Sequence, residues 1–502
     1  MLLQGGPLAY LTTIEWSRRA VSYDFGVYAQ SWWLIGHGDL DPYSPLLGAP
    51  FLHNNFELVM WPLALLAPLA GSAAALLVLQ DVALVATSLV GLRWIYEHVE
   101  GLTHLGRGSV AAAPSFQPRA ALVLAALVLA GNPWCFMTAA YDFHSEALSG
   151  LFLLLATRAL WRGRQRASVV WAMITAATGF VGLLGVIGVF LGEVVRSRGR
   201  SRTAAAVGGV AFASALVLVD LHLVGGAGLD LRTGFAYLVR PGSRAGFIHV
   251  LQGLVTQPTR AAGVVLPKLP LVLVLLLPCG LIGLANWWAA GGFVMVAGPV
   301  LLDHFSVFLA APEVFQLWPV LPLVLVSSLL LFLRPGTPGA DRLRGLSLVG
   351  WTALTLAAAV AFIREIPPYW FRIDSSQAAV VRSLQHTVDK RCEIVTSAGF
   401  AGAFAAGFDS RALIWTTRAI PITRPCVVLI LGPLVGRYGT SPAQTAQFLR
   451  VLEARPGVAM RLEKLGITEL LWRSAEVGSS LTFPSGTVVG NGAAHRTASL
   501  TG

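Results

Sequence analysis

The chain has 502 residues, 55% of them hydrophobic and only 12% charged, with 36 Lys and Arg against 25 Asp and Glu for a formal net charge of +11. A mean hydropathy of +0.68, with several apolar runs near the length of a bilayer crossing, excludes an ordinary soluble enzyme and places the chain among polytopic membrane proteins. The positive charge is no nucleic-acid patch, because the arginines concentrate in short loops between apolar segments, which is the positive-inside pattern.

Residues 1–14 are apolar but shorter than the ~20 residues a spanning helix needs, and they lack the basic start and cleavage site of a signal peptide. Either the first helix is truncated or Met1 is not the natural start. Residues 22–55, SYDFGVYAQSWWLIGHGDLDPYSPLLGAPFLHNN, gather acidic, His, Asn and aromatic side chains into a chain otherwise mostly apolar. Chemistry is expected there. Tyr23-Asp24-Phe25 is echoed at Tyr141-Asp142-Phe143, which is followed by His144 and Glu146. Residues 28–35 read as a short interfacial helix anchored by Trp32 and Trp33.

Residues 56–69, interrupted by Pro62 and Pro68, read as a short outer helix, and 73–95 as the first full span. Arg93, Arg107 and Arg119 put the following connection in the cytoplasm. Residues 120–140 then run outward, 141–146 turn at the outer face, and 147–160 return to Arg158, Arg162, Arg164 and Arg166. A carboxylate at the bilayer centre costs ~2.5–3.5 kcal/mol, so Asp142, His144 and Glu146 belong at the outer boundary. Residues 167–195 carry Arg at both ends and read as two half-helices broken around Thr178-Gly179, with glycines that allow close packing.

Residues 203–224 go out again, and 225–267 form an outer segment containing Arg240 and Arg260. Residues 269–285 and 288–302 make a hairpin turning at Asn286-Trp287, and 314–333 and 346–363 finish the bundle, for about nine spans plus the interrupted pair. From residue 364 the charges scatter and the apolar runs shorten, as in a small water-exposed α/β domain. It reads as a helix over 375–390 capped by Ser375, strands at 393–396, 413–416, 427–431 and 467–472, a helix from Ser441-Pro442, and a further helix ending near Gly466. The expected division is a transmembrane part, 1–363, with outer loops at 15–57 and 140–146, and an extracytoplasmic part, 364–502. Of the four cysteines, Cys135 and Cys279 read as packing residues, whereas Cys392 and Cys426 could pair in an oxidising compartment.

Each candidate site residue has two readings. Asp24 is placed to act as general base on an acceptor hydroxyl or to bind a metal, and equally to cap the interfacial helix. Asp142, His144 and Glu146, with His53 from the first loop, offer oxygen and imidazole ligands to a cation. Alternatively Asp142 caps the following helix, with Glu146 in its first turn complementing the dipole. A lipid phosphate needs a fixed cation, for which Arg240, Arg260 and Lys268 are the outer candidates, although snorkelling anchors look the same. Trp32 is an interface-belt residue or a ring on which a sugar stacks.

The segments YDFGVYAQSWWLIGHG, YDFHSEAL, GFAYLVRPGSRAGFIHVLQGLVTQPTR and PLVLVLLLPCGLIGLANWWAAGGFVMVAGPVLLDHFS resemble an uncharacterised family of prokaryotic polytopic proteins, a numbered domain of unknown function. That family is similar in layout to the glycosyltransferase-C (GT-C) superfamily. The resemblance implies an α-helical polytopic membrane protein with about 9–11 transmembrane segments and a small extracytoplasmic α/β C-terminal domain, in the plasma membrane. It further implies transfer of a sugar from a polyprenyl-phosphate carrier to a glycan or protein acceptor at the outer face, aided by a divalent metal such as Mg, Mn or Ca. Asp24 matches the superfamily's first-loop catalytic or metal-binding acid and Asp142 its second-loop acid. Where the family often carries Lys-Glu-Asp at the helix break, this chain has Ala177-Thr178-Gly179. The alternative is a non-catalytic lipid- or glycan-binding membrane protein, or a transporter, of the same architecture.

Overall fold

The computed structural model describes residues 2–18, 21–53, 56–106, 118–224, 234–239, 247–304, 313–334, 338–370, 373–413, 419–432, 448–450, 452–473 and 475–482. In chain order its main helices are α1 (Leu2–Ser17), α2 (Tyr23–Gly36), α3 (Ala74–Gly106), α4 (Pro118–Ala130), α5 (Glu146–Trp161), α6 (Gln165–Ala176), α7 (Phe180–Arg196) and α8 (Arg200–Val224). They continue with α9 (Trp287–Leu302), α10 (Leu321–Phe332), α11 (Pro338–Trp370) and α12 (Ser375–Thr387).

Among the described residues five segments are long and apolar enough to cross a membrane: Ala74–Gly101, Arg119–Ala139, Arg202–Val219, Pro258–Cys279 and Leu343–Glu365. Other expected crossings are shorter apolar helices, including α9 and α10. The crossing expected at 269–285 begins earlier, at Pro258, whose missing N–H suits a first helical turn. It stops at Gly280 (φ +76°), a left-handed residue that an α-helix cannot absorb. Asn286 is not mid-turn but the N-cap of α9, its side chain accepting from Trp288 N at 3.0 Å.

The predicted break in the interrupted pair is present: α6 ends at Ala176, α7 starts at Phe180, and Gly179 between them has φ +121°. The glycines of α7 then set its packing. A Cβ on Gly188 would stand 2.3 Å from the Gly291 carbonyl oxygen of α9, and one on Gly192 would stand 2.2 Å from that of Trp287. The two helices therefore meet backbone to backbone, a contact only small residues allow. One turn further on, the buried Glu193 Oε2 accepts from Trp288 Nε1 at 2.8 Å and Arg196 Nε at 3.1 Å, which satisfies a carboxylate inside the bundle.

The C-terminal part is a five-stranded mixed sheet, ordered β4-β3-β6-β8-β7 after the two-residue strands β1 (Tyr43–Ser44) and β2 (Ala49–Pro50) of the first loop. Here β3 is Glu393–Ser397, β4 Ser410–Leu413, β6 Cys426–Leu431, β7 Val458–Lys464 and β8 Ile467–Arg473, while β5 (Ala419–Pro421) pairs with β9 (Ser480–Thr482). β3 runs parallel to β4 and β6, with β8 and β7 antiparallel. The central β6 is apolar and buried on both faces, as its unbroken CVVLIL run requires. α12 starts one residue from its expected cap: Asp374, not Ser375, accepts from Gln377 N at 2.7 Å in a capping box.

The helix expected to end near Gly466 is instead the β7–β8 hairpin. Leu465 (φ +55°) and Gly466 (φ +76°) are both left-handed, the geometry of a two-residue hairpin turn, and Lys464 pairs with Ile467. Cys392 and Cys426 form the disulfide, with Cα atoms 4.6 Å apart. The helix expected from Ser441-Pro442 starts outside the described residues.

This sheet sits on the first loop. The 3-10 segment Ala398–Phe404, which follows β3, packs on α2. A Cβ on Gly26 would lie 3.1 Å from the Ala401 carbonyl carbon, and one on Gly402 would lie 2.9 Å from Phe25 and Val21 side chains. Arg382 Nη1 of α12 also donates to the Ser17 carbonyl at 2.5 Å.

Candidate functional site

The site is built around the start of α2. Ser22 has extended backbone, and its hydroxyl accepts from Asp24 N at 3.1 Å, so Ser22 is the N-cap and Asp24 lies inside the first turn. The capping reading of Asp24 is thereby replaced, although the residue still complements the helix dipole. The helix also begins five residues before the expected 28–35 segment.

The second acidic loop closes on this turn. Asp142 Oδ2 accepts from Ser22 N at 3.0 Å, and Tyr141 donates its hydroxyl to Asp24 Oδ2 at 3.4 Å, so the two Tyr-Asp-Phe copies clasp each other. Asp142 has φ +53°, a left-handed conformation rare outside glycine and tolerated best by Asx side chains. It does not cap the following helix. The loop is held from beneath by Gln80 of α3, whose Nε2 donates to the Thr138 and Asp142 carbonyls at 3.1 and 2.7 Å while Oε1 accepts from His144 N at 3.0 Å. Burial pushes the Asp142 carboxyl above its usual range, against the opposing hydrogen bonds of Glu15 and Ser22. Glu15 of α1 is 1% exposed, and burial, with the Asp142 carboxyl nearby, raises its carboxyl well above the usual range. Burial drives the His144 imidazole down to about 3, keeping it neutral at working pH.

Tyr28 extends the cluster inward. Its ring lies 5.4 Å edge-on from those of both Phe143 and His144, and its hydroxyl donates to Glu57 Oε1 at 2.7 Å. Glu57 is fully buried and wedged against the helix break, its Cγ 3.1 Å from where a Cβ on Gly179 would stand. The break is also tied to both loops, since Val59 N donates to the Ala177 carbonyl at 2.8 Å and Ser145 Oγ to that of Thr178 at 2.8 Å. Glu146 lies in the first turn of α5, in reach of Ser145 Oγ at 3.4 Å. Asp24, Asp142, His144 and Glu146 are thus gathered with the break into one polar cluster at one end of the bundle.

Other candidates lie differently. His53 is exposed at the end of the 3-10 turn Phe51–His53, whose Phe51 is buried. Among the described residues no three His, Cys, Asp or Glu side chains converge as a metal-ligand set, so the expected divalent-metal site of Asp24, His53, Asp142, His144 and Glu146 does not fit this arrangement. Asp142 instead accepts from the Ser22 backbone N–H. Trp32 is 1% exposed, with Nε1 donating to the Leu63 carbonyl at 3.2 Å, so it is a packed core ring and no stacking platform. Lys268 Nζ donates to the Leu301 carbonyl at 3.0 Å and to that of Asp303, closing the C-terminal end of α9. Arg260 Nη1 reaches the Tyr237 carbonyl at 3.4 Å and is otherwise exposed. Arg240 lies outside the described residues. Glu15, Tyr28, Glu57 and Gln80 were absent from the sequence-based set. The signal for three of them was a carboxyl or amide standing inside an apolar run, costly unless partnered.

A helical membrane bundle with buried carboxyls clasped at one end, under a small α/β sheet, defines the class: a polytopic membrane protein with a polar site on its loops. Residues 16–414 match the family model described as a predicted membrane protein (DUF2079), and the chain belongs to that family. None of the curated proteins matches the sequence. Among solved structures, the chain is similar to apo ArnT from Cupriavidus metallidurans at 11% identity and a TM-score of 0.47, over 94% of this chain and 98% of that one.

Proposed function

We propose that this protein is a GT-C-type glycosyltransferase, taking a sugar from a polyprenyl-phosphate carrier at the outer membrane face and passing it to a glycan or protein hydroxyl. The observation that carries this reading is the clasp between the two acidic loops, which leaves the half-buried Asp24 carboxylate beside Tyr141. In that reading Asp24 takes the acceptor's proton as the hydroxyl oxygen bonds to the anomeric carbon and the bond from that carbon to phosphate oxygen breaks. Asp142 positions the turn that presents Asp24, and neutral His144 packs with Tyr28 behind it. Arg240, Arg260 and Lys268 are the proposed phosphate contacts, and of the two described, exposed Arg260 has more donors to spare than Lys268. No step runs through a metal.

The outward orientation is part of the proposal. It is supported by the arginine bias and by the Cys392–Cys426 disulfide, because such bonds persist in oxidising compartments. Asp24→Asn decides the chemistry: transfer from a polyprenyl-phosphate sugar falls ~100-fold or more while melting temperature stays within a degree or so. Full activity in that variant removes Asp24 from the mechanism and turns the reading toward a non-catalytic binding protein.

A further inference from the structure

An outward-open apolar groove of about 430 Å³ lies between α3 and α4, lined by Leu89, Leu92 and Tyr96 on one side and Leu122 and Val123 on the other. Its walls are open to the surroundings, with Val123 59%, Leu89 47% and Tyr96 42% exposed. Arg93 also lines it, its guanidinium 5.6 Å from the Tyr96 ring.

Arg93 belongs to a charge cluster. Glu97 accepts from Arg93 Nε at 2.8 Å, from Arg158 Nη2 at 2.5 Å and from Arg162, so among the described ion pairs three guanidinium groups share one carboxylate. The Arg93 side chain is 61% exposed on the groove side of this cluster. Arg119 precedes Leu122 and Val123 by three and four residues on α4, which puts it on the same helix face, and it too is exposed. Trp94 and Trp161 pack 5.9 Å apart beside the cluster, and tryptophan together with arginine at the end of an apolar helix is the composition of a membrane interface.

We propose that this groove binds one anionic phospholipid, its acyl chain along Leu89, Leu92 and Val123 and its phosphate on Arg93, with Arg119 and Arg162 completing the charge. The apolar trough alone accepts any acyl chain. The arginines that share Glu97 at its mouth select a negative headgroup. This site is remote in sequence from Asp24 and independent of the transfer reaction.

The test titrates full-length detergent-solubilised protein with phosphatidylglycerol or phosphatidylcholine and counts bound lipid by native mass spectrometry. Wild type is expected to hold phosphatidylglycerol more tightly. Arg93→Gln, which leaves Glu97 two arginines, weakens phosphatidylglycerol about fivefold and leaves phosphatidylcholine unchanged. Val123→Trp, a surface change that fills the trough, weakens both lipids and guards against a folding defect in the charge variant. Equal binding of the two lipids by wild type overturns the proposal. So does unchanged phosphatidylglycerol binding in both variants, or its displacement by inorganic phosphate with acyl-chain length having no effect.

Discussion

At the scale of single residues, the site sets Asp24, the proposed base, apart from the groups that hold its turn in place. Asp24 was legible because an Asp between two aromatics stands out in an apolar chain, and the repeat at Asp142 pointed to its neighbour. What sequence could not give was which acid spends its charge on structure, since that depends on Ser22 N and Glu15 arriving from other segments. The neutral His144 makes a measurable case. Its folded value, about 3, lies below its ordinary 6.5, so the unfolded chain binds a proton between those values and the native state does not. His144 therefore contributes stability above pH 6.5 that is lost as pH falls toward 3. Asp142, shifted upward, acts in the opposite sense, its share being present at low pH and declining as pH rises. The melting-temperature gap between wild type and His144→Gln is expected to narrow as pH is lowered below 6.5. A gap constant down to pH ~4 would mean that the imidazole is solvated in the native state.

At the scale of elements, hydropathy found most of the bundle and misjudged its ends. Arginine and glycine positions told where the interrupted pair breaks, because Gly179 stands between two apolar runs and adopts φ +121°. The β7–β8 hairpin escaped because its turn uses Leu465 in a conformation that leucine rarely takes, so no turn signal preceded Gly466. The α7–α9 crossing yields a sharper test. Gly188→Ala forces a methyl into the backbone of Gly291 and is expected to lower stability by about 1–3 kcal/mol or to prevent folding. Gly298→Ala, with open space around its Cβ position, is the matched control and is expected to be neutral. Equal melting temperatures for the two variants in the same detergent would show that the helices are free to part.

At the scale of the whole molecule, the sheet and the bundle share one apolar cluster: Phe25, Ala29 and Phe51 of the first loop region pack with Ala401, Ala405 and Ala412. Sequence reading placed the two parts on the same side of the membrane but could not foresee that they touch at the site helix. Stability of the sheet should then be felt at the site. The disulfide spans 34 residues, and Cys392→Ser is expected to cost about 3–4 kcal/mol by loop entropy, read as a lowered melting temperature and matched by reductant on wild type. Reductant that leaves the wild-type melting curve unmoved would count against the bond.

The same contact orders the protein's birth. Val21, Phe25 and Gly26 are made early, yet the backbone that covers them, around Ala401 and Gly402, is made only when most of the chain already exists. Until then that face of α2 lacks its covering backbone, so the site is finished late, by a segment made long after the helix it covers.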